Sequence, residues 1–139
     1  MTARELADRL AIRDLLATYA LAVDRKDLAR VAGCFTPDCA YEGRLGRGTI
    51  AQALAALGDA FARYARTMHL MGTHEAALDG DAARAETLCI AYHVLPDGRH
   101  LTTGVRYADD LVRTPAGWRI RRRVVRTDWT RTDAPAPPA

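Results

Sequence analysis

The chain is short of several things that would each point to a class of function. It has a single lysine, Lys26, so arginine supplies nearly all of its positive charge. Its three cysteines, Cys34, Cys39 and Cys89, cannot all pair within the chain, and none stands in a CxxC or Cys/His spacing. That excludes a disulfide framework and a zinc site and leaves reduced, buried thiols. No window approaches the roughly 18 consecutive apolar residues of a membrane span. The first ten residues, MTARELADRL, carry charges throughout in place of an apolar signal region. A cytoplasmic protein without a membrane partner is the expectation. Also missing are a nucleophile elbow, a phosphate-binding glycine loop and any metal-ligand spacing, which points to proton-transfer chemistry that uses no cofactor and no metal.

What is present suffices for one globular domain. The chain has 139 residues, 49% of them hydrophobic, enough to bury a real core and too few for two domains of usual size. Its net charge is +3. Arg119, Arg121, Arg122, Arg123 and Arg126 form a basic cluster, but strand alternation divides them between two faces, so no continuous stripe tracks a phosphate backbone. No nucleic-acid partner is expected.

Periodicity divides the chain in two. Residues from about 5 to 24 read as a helix with Ile12, Leu15, Leu16, Tyr19 and Val23 on one stripe. Residues 27 to 35 read as a short second helix bearing Leu28, Val31 and Phe35. Cys39 to Tyr41 read as a brief strand and the glycines at 43, 46 and 48 as a flexible loop. A third helix starts at Thr49, which forms a capping box with Gln52 ahead of Ile50, Leu54, Leu57, Phe61 and Tyr64. From Thr67 onward the pattern is of four long antiparallel strands, 67–78, 83–95, 99–113 and 117–130, separated by Gly- and Pro-containing turns. This is an α+β domain spanning 1–130, with helices covering one face of a curved sheet. Residues 131–139 form a Pro/Ala tail expected to be disordered. The other face carries Leu88, Ile90, Tyr92 and Val94 on one parity of the second long strand, a surface suited to another subunit. A homo-oligomer is expected.

Two features of the first helix need partners. Tyr19 lies near the middle of the apolar stripe, so its hydroxyl goes inside with its ring. Asp24 sits beside the stripe at a helix C-terminus, where the macrodipole opposes its charge. It either caps the next helix or is held by something later in the chain. His69 opens the first long strand, and His93 shares strand parity with the small residues Cys89 and Ala91, which suits a cavity. A carboxylate behind a histidine fixes its tautomer and stabilises the imidazolium, so Asp24 and His69 form a candidate general base. His74 and His100 lie near turns and receive no role.

The segments LADRLAIRDLLATYALAVDRKD, CFTPDCAYEG, TMHLMG, DGDAARAETLCIAYHV, GVRYADDLVR and GWRIRRR, in that order over residues 3 to 130, resemble the SnoaL-like branch of the nuclear transport factor two-like superfamily. Within it they look most like the scytalone dehydratase, bile-acid dehydratase and hexachlorocyclohexane dehydrochlorinase group. The resemblance implies a cone-shaped α+β barrel, with N-terminal helices closing a strongly curved antiparallel sheet. It implies a cofactor-independent dehydratase or isomerase acting on an apolar cyclic small molecule of polyketide, steroid or terpenoid type. The family's catalytic pair falls on His69 and Asp24, with Tyr19 beside them. Tyr41 and His93 fall on pocket positions, and the arginine after the GxW turn falls on Arg123 or Arg126. Met71 and Cys89 complete the substrate-contacting set. The dehydrochlorinase has a lysine at the position of Tyr19, so loss of water is implied over loss of halide. The same fold also houses polyketide cyclases, ketosteroid isomerases, non-catalytic binding proteins and epoxide hydrolases. The hydrolases need an Asp–Arg–Asp set, for which Asp109, Asp110 and Asp128 are candidates by parity alone. A trimer is implied, with a dimer as the alternative.

Overall fold

The structure, a computed structural model, describes residues 1–135 and 137; Ala136, Pro138 and Ala139 lie outside the described residues. Helix α1 spans Ala3–Asp24 and begins with a capping box: Thr2 Oγ1 accepts from Glu5 N–H while Thr2 N–H donates to Glu5 Oε2. Its inward stripe of Asp8, Ile12, Leu15, Leu16, Tyr19 and Val23 follows the spacing read from the sequence, with Asp8 added at the start. Asp8 is buried because it has partners, accepting from Arg113 Nη2 at 2.7 Å and Trp118 Nε1 at 3.1 Å. These bonds tie the start of α1 to the last two strands. The helix ends in a Schellman-type turn, with Asp27 N–H bonded to Ala22 O and Lys26 left-handed at φ 56°.

Helix α2, Leu28–Ala32, is shorter than the sequence suggested, and its N-cap is Asp27, whose side chain accepts from Arg30 N–H. Phe35 lies beyond it, as the first residue of β1, Phe35–Gly43. The glycines at 46 and 48 do not form a free loop: β2, Gly46–Thr49, pairs antiparallel with β1 in a tight hairpin. Helix α3, Ile50–Phe61, carries the expected Thr49/Gln52 capping box and stops before Tyr64. Its Leu54, Leu57 and Phe61 are only partly buried, so it packs less completely than α1.

Strands β3 (Arg66–Asp79), β4 (Ala82–Val94), β5 (His100–Thr114) and β6 (Gly117–Asp133) form the expected meander within a six-stranded sheet of order β2-β1-β6-β5-β4-β3. β1 joins β6 in parallel. The sheet is curved but unclosed, with β2 and β3 as its edges, so the cone is open where a barrel would be sealed. β6 runs three residues past the expected end, placing Arg131, Thr132 and Asp133 in the sheet and not in a tail.

Two bulges in β6 bend the sheet and reset which side chains face inward. Arg122 pairs with Asp110 but Ile120 pairs with Leu111, leaving Arg121 as an extra residue. Inward positions therefore change from Trp118 and Ile120 to Arg123. A second shift leaves Asp128 extra between Thr127 and Trp129. Between the concave face and the helices lies one core, built on Ile12, Leu16, Val31, Leu111 and Ile120. Among the described residues no helix is long and apolar enough to cross a membrane.

Candidate active site

Asp24 is the last residue of α1, and β3 runs beside it. The carboxylate accepts three hydrogen bonds: His69 Nδ1 to Oδ1 at 2.7 Å, Thr67 Oγ1 to Oδ1 at 2.9 Å, and His69 N–H to Oδ2 at 2.8 Å. Thr67 and His69 alternate on one face of the strand, so both side chains reach the same carboxylate. Asp24 is therefore no helix cap; that role belongs to Asp27. Burial pushes the Asp24 carboxyl up, but the His69 ring and backbone bonds and the Thr67 hydroxyl outweigh it and hold its pKa below the usual value. An ionised carboxylate only accepts, so His69 carries its proton on Nδ1 and its Nε2 presents a lone pair.

His69 opens onto a cavity of about 240 Å³ bounded by α1, α3, the β1–β2 hairpin and the concave faces of β3 to β6. Tyr19, Tyr41, Tyr107 and His93 share its wall with Leu57, Phe61, Val105 and Val125. Burial raises the pKa of Tyr19, pushes Tyr41 up to about 12 and raises Tyr107 well above the ordinary phenol. All three phenols are thus neutral donors near pH 7. Gly43 matters to Tyr41, because a Cβ there would meet the Tyr41 hydroxyl at 2.8 Å and Val125 at 2.9 Å.

His93 lies with its ring centroid 6.1 Å from that of His69 and stacks obliquely on Tyr64 at 4.6 Å. Its Nδ1 donates to Leu101 O at 3.1 Å, and burial lowers its pKa. In the neutral ring Nε2 is then an acceptor. His93 can orient a ligand hydroxyl but, while neutral, cannot donate to an oxyanion.

Arg123 is fully buried behind this wall, with Nε and Nη2 each donating at 2.8 Å to one oxygen of Asp109. Its guanidinium carbon sits 4.3 Å from the Tyr19 ring centroid and 4.4 Å from that of Tyr107, a cation held between two aromatic rings. Burial works against the charge, yet Asp109 outweighs it and the Arg123 pKa rises. Arg123 supports the pocket tyrosines and does not line the cavity. Three other expected contacts fall elsewhere. Arg126 is exposed because the bulge at Arg121 fixes Arg123 and Val125 as the inward residues. Met71 packs against the core and Cys89 is buried within it, and neither lines the cavity.

Sequence reasoning passed over Thr67, Tyr107 and the cations at the cavity's edge, Lys26, Arg44 and Arg63. Parity could have found two of them: Thr67 is two residues before His69, and Tyr107 is two before Asp109. Among the described residues no cluster of three His, Cys, Asp or Glu side chains could hold a metal ion.

Residues 4–124 match the model of the SnoaL-like domain family. The chain belongs to this family. It is 36% identical over 132 residues to Rv2910c of Mycobacterium tuberculosis, an uncharacterized protein, covering 89% of this chain and 88% of that one. Among solved structures it superposes with a TM-score of 0.86 on a protein from Novosphingobium aromaticivorans provisionally named a scytalone dehydratase, at 21% identity over 100% and 99% of the two chains. A type 2 hexachlorocyclohexane dehydrochlorinase gives a TM-score of 0.84 at 20% identity over 96% of each chain. At such identities the likeness is one of fold. These neighbours share the nuclear transport factor two-like architecture.

Proposed function

We propose that this protein is a cofactor-independent dehydratase in which the His69–Asp24 pair acts as general base on an apolar cyclic substrate. The observation that carries the reading is the 2.7 Å bond from His69 Nδ1 to Asp24 at the wall of a cavity that also presents phenols, a second imidazole and hydrocarbon. His69 Nε2 takes the proton from the carbon next to a carbonyl. The electron pair moves toward the carbonyl oxygen, where Tyr19, Tyr41 or Tyr107 donates a hydrogen bond to the growing negative charge. A well-placed donor of this kind lowers a barrier by about 2.7–4 kcal/mol. The carbon–oxygen bond to the β-hydroxyl then breaks, and the hydroxide leaves with the proton held on Nε2. An unsaturated carbonyl compound and water result, and the dyad is regenerated. His93 Nε2 accepts from the substrate hydroxyl and orients it before departure. Without a leaving group, return of the proton to another carbon would make the same site an isomerase.

An apolar cavity of about 150 Å³ accommodates benzene, so about 240 Å³ suits one or two rings inside, with any longer skeleton emerging at the mouth. A hydrolase reading is weaker. The carboxylate beside Arg123 has both oxygens occupied and no exposed side-chain surface, and no Asp or Glu lines the cavity among the described residues. Cytoplasmic action as a homo-oligomer, a trimer before a dimer, completes the proposal. The association is supported by the outer sheet face, where Met68, Leu70, Tyr92 and Trp129 stand exposed.

The test is exchange of a cyclic ketone's α-protons with deuterated solvent, followed by NMR. Wild-type protein should accelerate exchange, and His69→Gln should abolish the acceleration while changing ligand affinity less than about tenfold, or 1.4 kcal/mol. Exchange that persists in His69→Gln refutes the assignment of the base.

A further inference from the structure

Three connections meet at the mouth of the cavity, and each brings one cation. Lys26 comes from the turn between α1 and α2, Arg44 from the β1–β2 hairpin and Arg63 from the turn after α3. All three are exposed, and none has an ion-pair partner within 4.0 Å among the described residues. Some surface arginines are paired, as Arg106 is with Glu86 and Asp128, but being unpaired is not what sets these three apart: it is that they converge on one cavity. The chain's single lysine is also the residue held left-handed at φ 56°, and its ammonium donates to Tyr64 O at 2.8 Å. Two of its three donors remain free. Among the described residues no carboxylate lines the cavity, and the one in the site, Asp24, is committed to Thr67 and His69. The rest of the lining is apolar side chains and phenols, with His69, His93, Thr67 and Thr103 among them.

We propose that the mouth formed by Lys26, Arg44 and Arg63 is an anion-binding subsite, and that the natural substrate is an amphipathic molecule with a cyclic body inside and a carboxylate or phosphate at the opening. This rests on reading the cavity as the substrate site. Arginine forks and a lysine ammonium match the oxyanion in both cases. Because the groups are exposed, the attraction is screened by salt, with a Debye length of about 10 Å at 0.1 M. It also steers encounter, so association should be faster for anionic ligands than for neutral ones.

The experiment compares 2-naphthol, 2-naphthoic acid and 2-naphthyl phosphate, which share a two-ring body, by titration calorimetry at low and high sodium chloride. The anions should bind at least tenfold tighter than 2-naphthol at low salt, and most of that advantage should vanish at 0.5 M. The ranking of the carboxylate against the phosphate identifies which oxyanion the mouth fits. In the triple variant Lys26→Gln, Arg44→Gln, Arg63→Gln the advantage should fall below threefold while 2-naphthol affinity stays the same, which also shows the fold and cavity intact. Equal affinity for neutral and anionic probes, failure of the anions to bind, or an advantage that survives the triple substitution overturns the proposal. Binding needs no turnover, so the two readings fail separately. A protein that selects anions here yet exchanges no substrate proton keeps the subsite and loses the lyase assignment.

Discussion

Replacing Asp24 with Asn changes one atom and, by the geometry of the dyad, inverts the chemistry of His69. The native carboxylate accepts from three donors, the His69 ring, the His69 backbone N–H and Thr67. An amide offers one oxygen and one NH₂. If the oxygen stays on the ring, the NH₂ faces the backbone N–H of His69, a donor against a donor. If the amide flips, its oxygen takes the backbone N–H, its NH₂ donates to Nδ1, and the Thr67 hydroxyl rotates to accept. The second arrangement leaves every group satisfied and is the one the variant should adopt. Its cost falls on the tautomer, because a proton then occupies Nε2, where the lone pair is needed. Losing a charge-assisted hydrogen bond costs about 1.5–3 kcal/mol, roughly tenfold to 150-fold in rate at 1.36 kcal/mol per decade. A wrong tautomer in a His–carboxylate pair can cost about 10⁴. We expect kcat to fall about 10² to 10⁴ and the Tm to move by less than about 4 °C, the shift of about 1 kcal/mol in a domain of this size. Turnover and thermal melts give both numbers, and ¹⁵N shifts of the His69 ring report where the proton sits. A kcat within threefold of wild type, or a large fall in Tm with unchanged turnover in the folded fraction, would refute the reasoning.

Other expectations follow from the same structure. Arg123→Met leaves Asp109 buried and unpaired, so it should lower stability by about 3–5 kcal/mol in urea melts, whereas Arg123→Met with Asp109→Leu should recover most of the loss. His74 and His93 are both held below their ordinary pKa, chiefly by burial, so the unfolded chain binds more protons than the native one. Stability should therefore decline as pH falls through about 6.5, and replacing both with Gln should flatten the profile below that pH. Asp24, depressed in the native state, adds stability present above about pH 3.9 and lost as pH falls toward its lower native value. On the outer face, Tyr92→Glu with Leu70→Glu should convert an oligomer to monomers in light scattering; a wild-type monomer at micromolar concentration would contradict the interface.

The fold was legible wherever a local signal stood alone. Thr49 with Gln52 marked the start of α3 because a capping box is a short-range device. The four long strands announced themselves by their turns. The first sheet strand did not. Phe35 was read into α2 because its spacing from Leu28 and Val31 is helical, and nothing local reports that a residue 85 positions later, Ile120, pairs with it in parallel. The glycines at 46 and 48 read as a loop for a related reason. Their strand is exposed throughout, so it has no apolar alternation to reveal it, and only its ladder to β1 makes it a strand.

The candidate site divides along the same line. Tyr19, Asp24 and His69 could be found because each breaks the pattern of its own element, a hydroxyl on an apolar stripe, a carboxylate at a helix C-terminus, an imidazole on a strand. Periodicity alone could not tell Arg123 from its neighbours, since each of Arg121, Arg122 and Arg123 is inward under some register; only the family resemblance pointed to it, with Arg126 as the alternative. What selects Arg123 is one unpaired residue in the β5–β6 ladder, and what makes its burial tolerable is Asp109 on the facing strand. A charge can be sealed in only where its partner is sealed with it. The pair therefore has to be recognised as a pair, and its two members lie on strands whose relative register is a property of the folded sheet. The cations at the mouth were invisible for the opposite reason. Lys26, Arg44 and Arg63 sit in turns, where a charged side chain is the ordinary choice, and each is unremarkable until three turns far apart in sequence are brought to one opening.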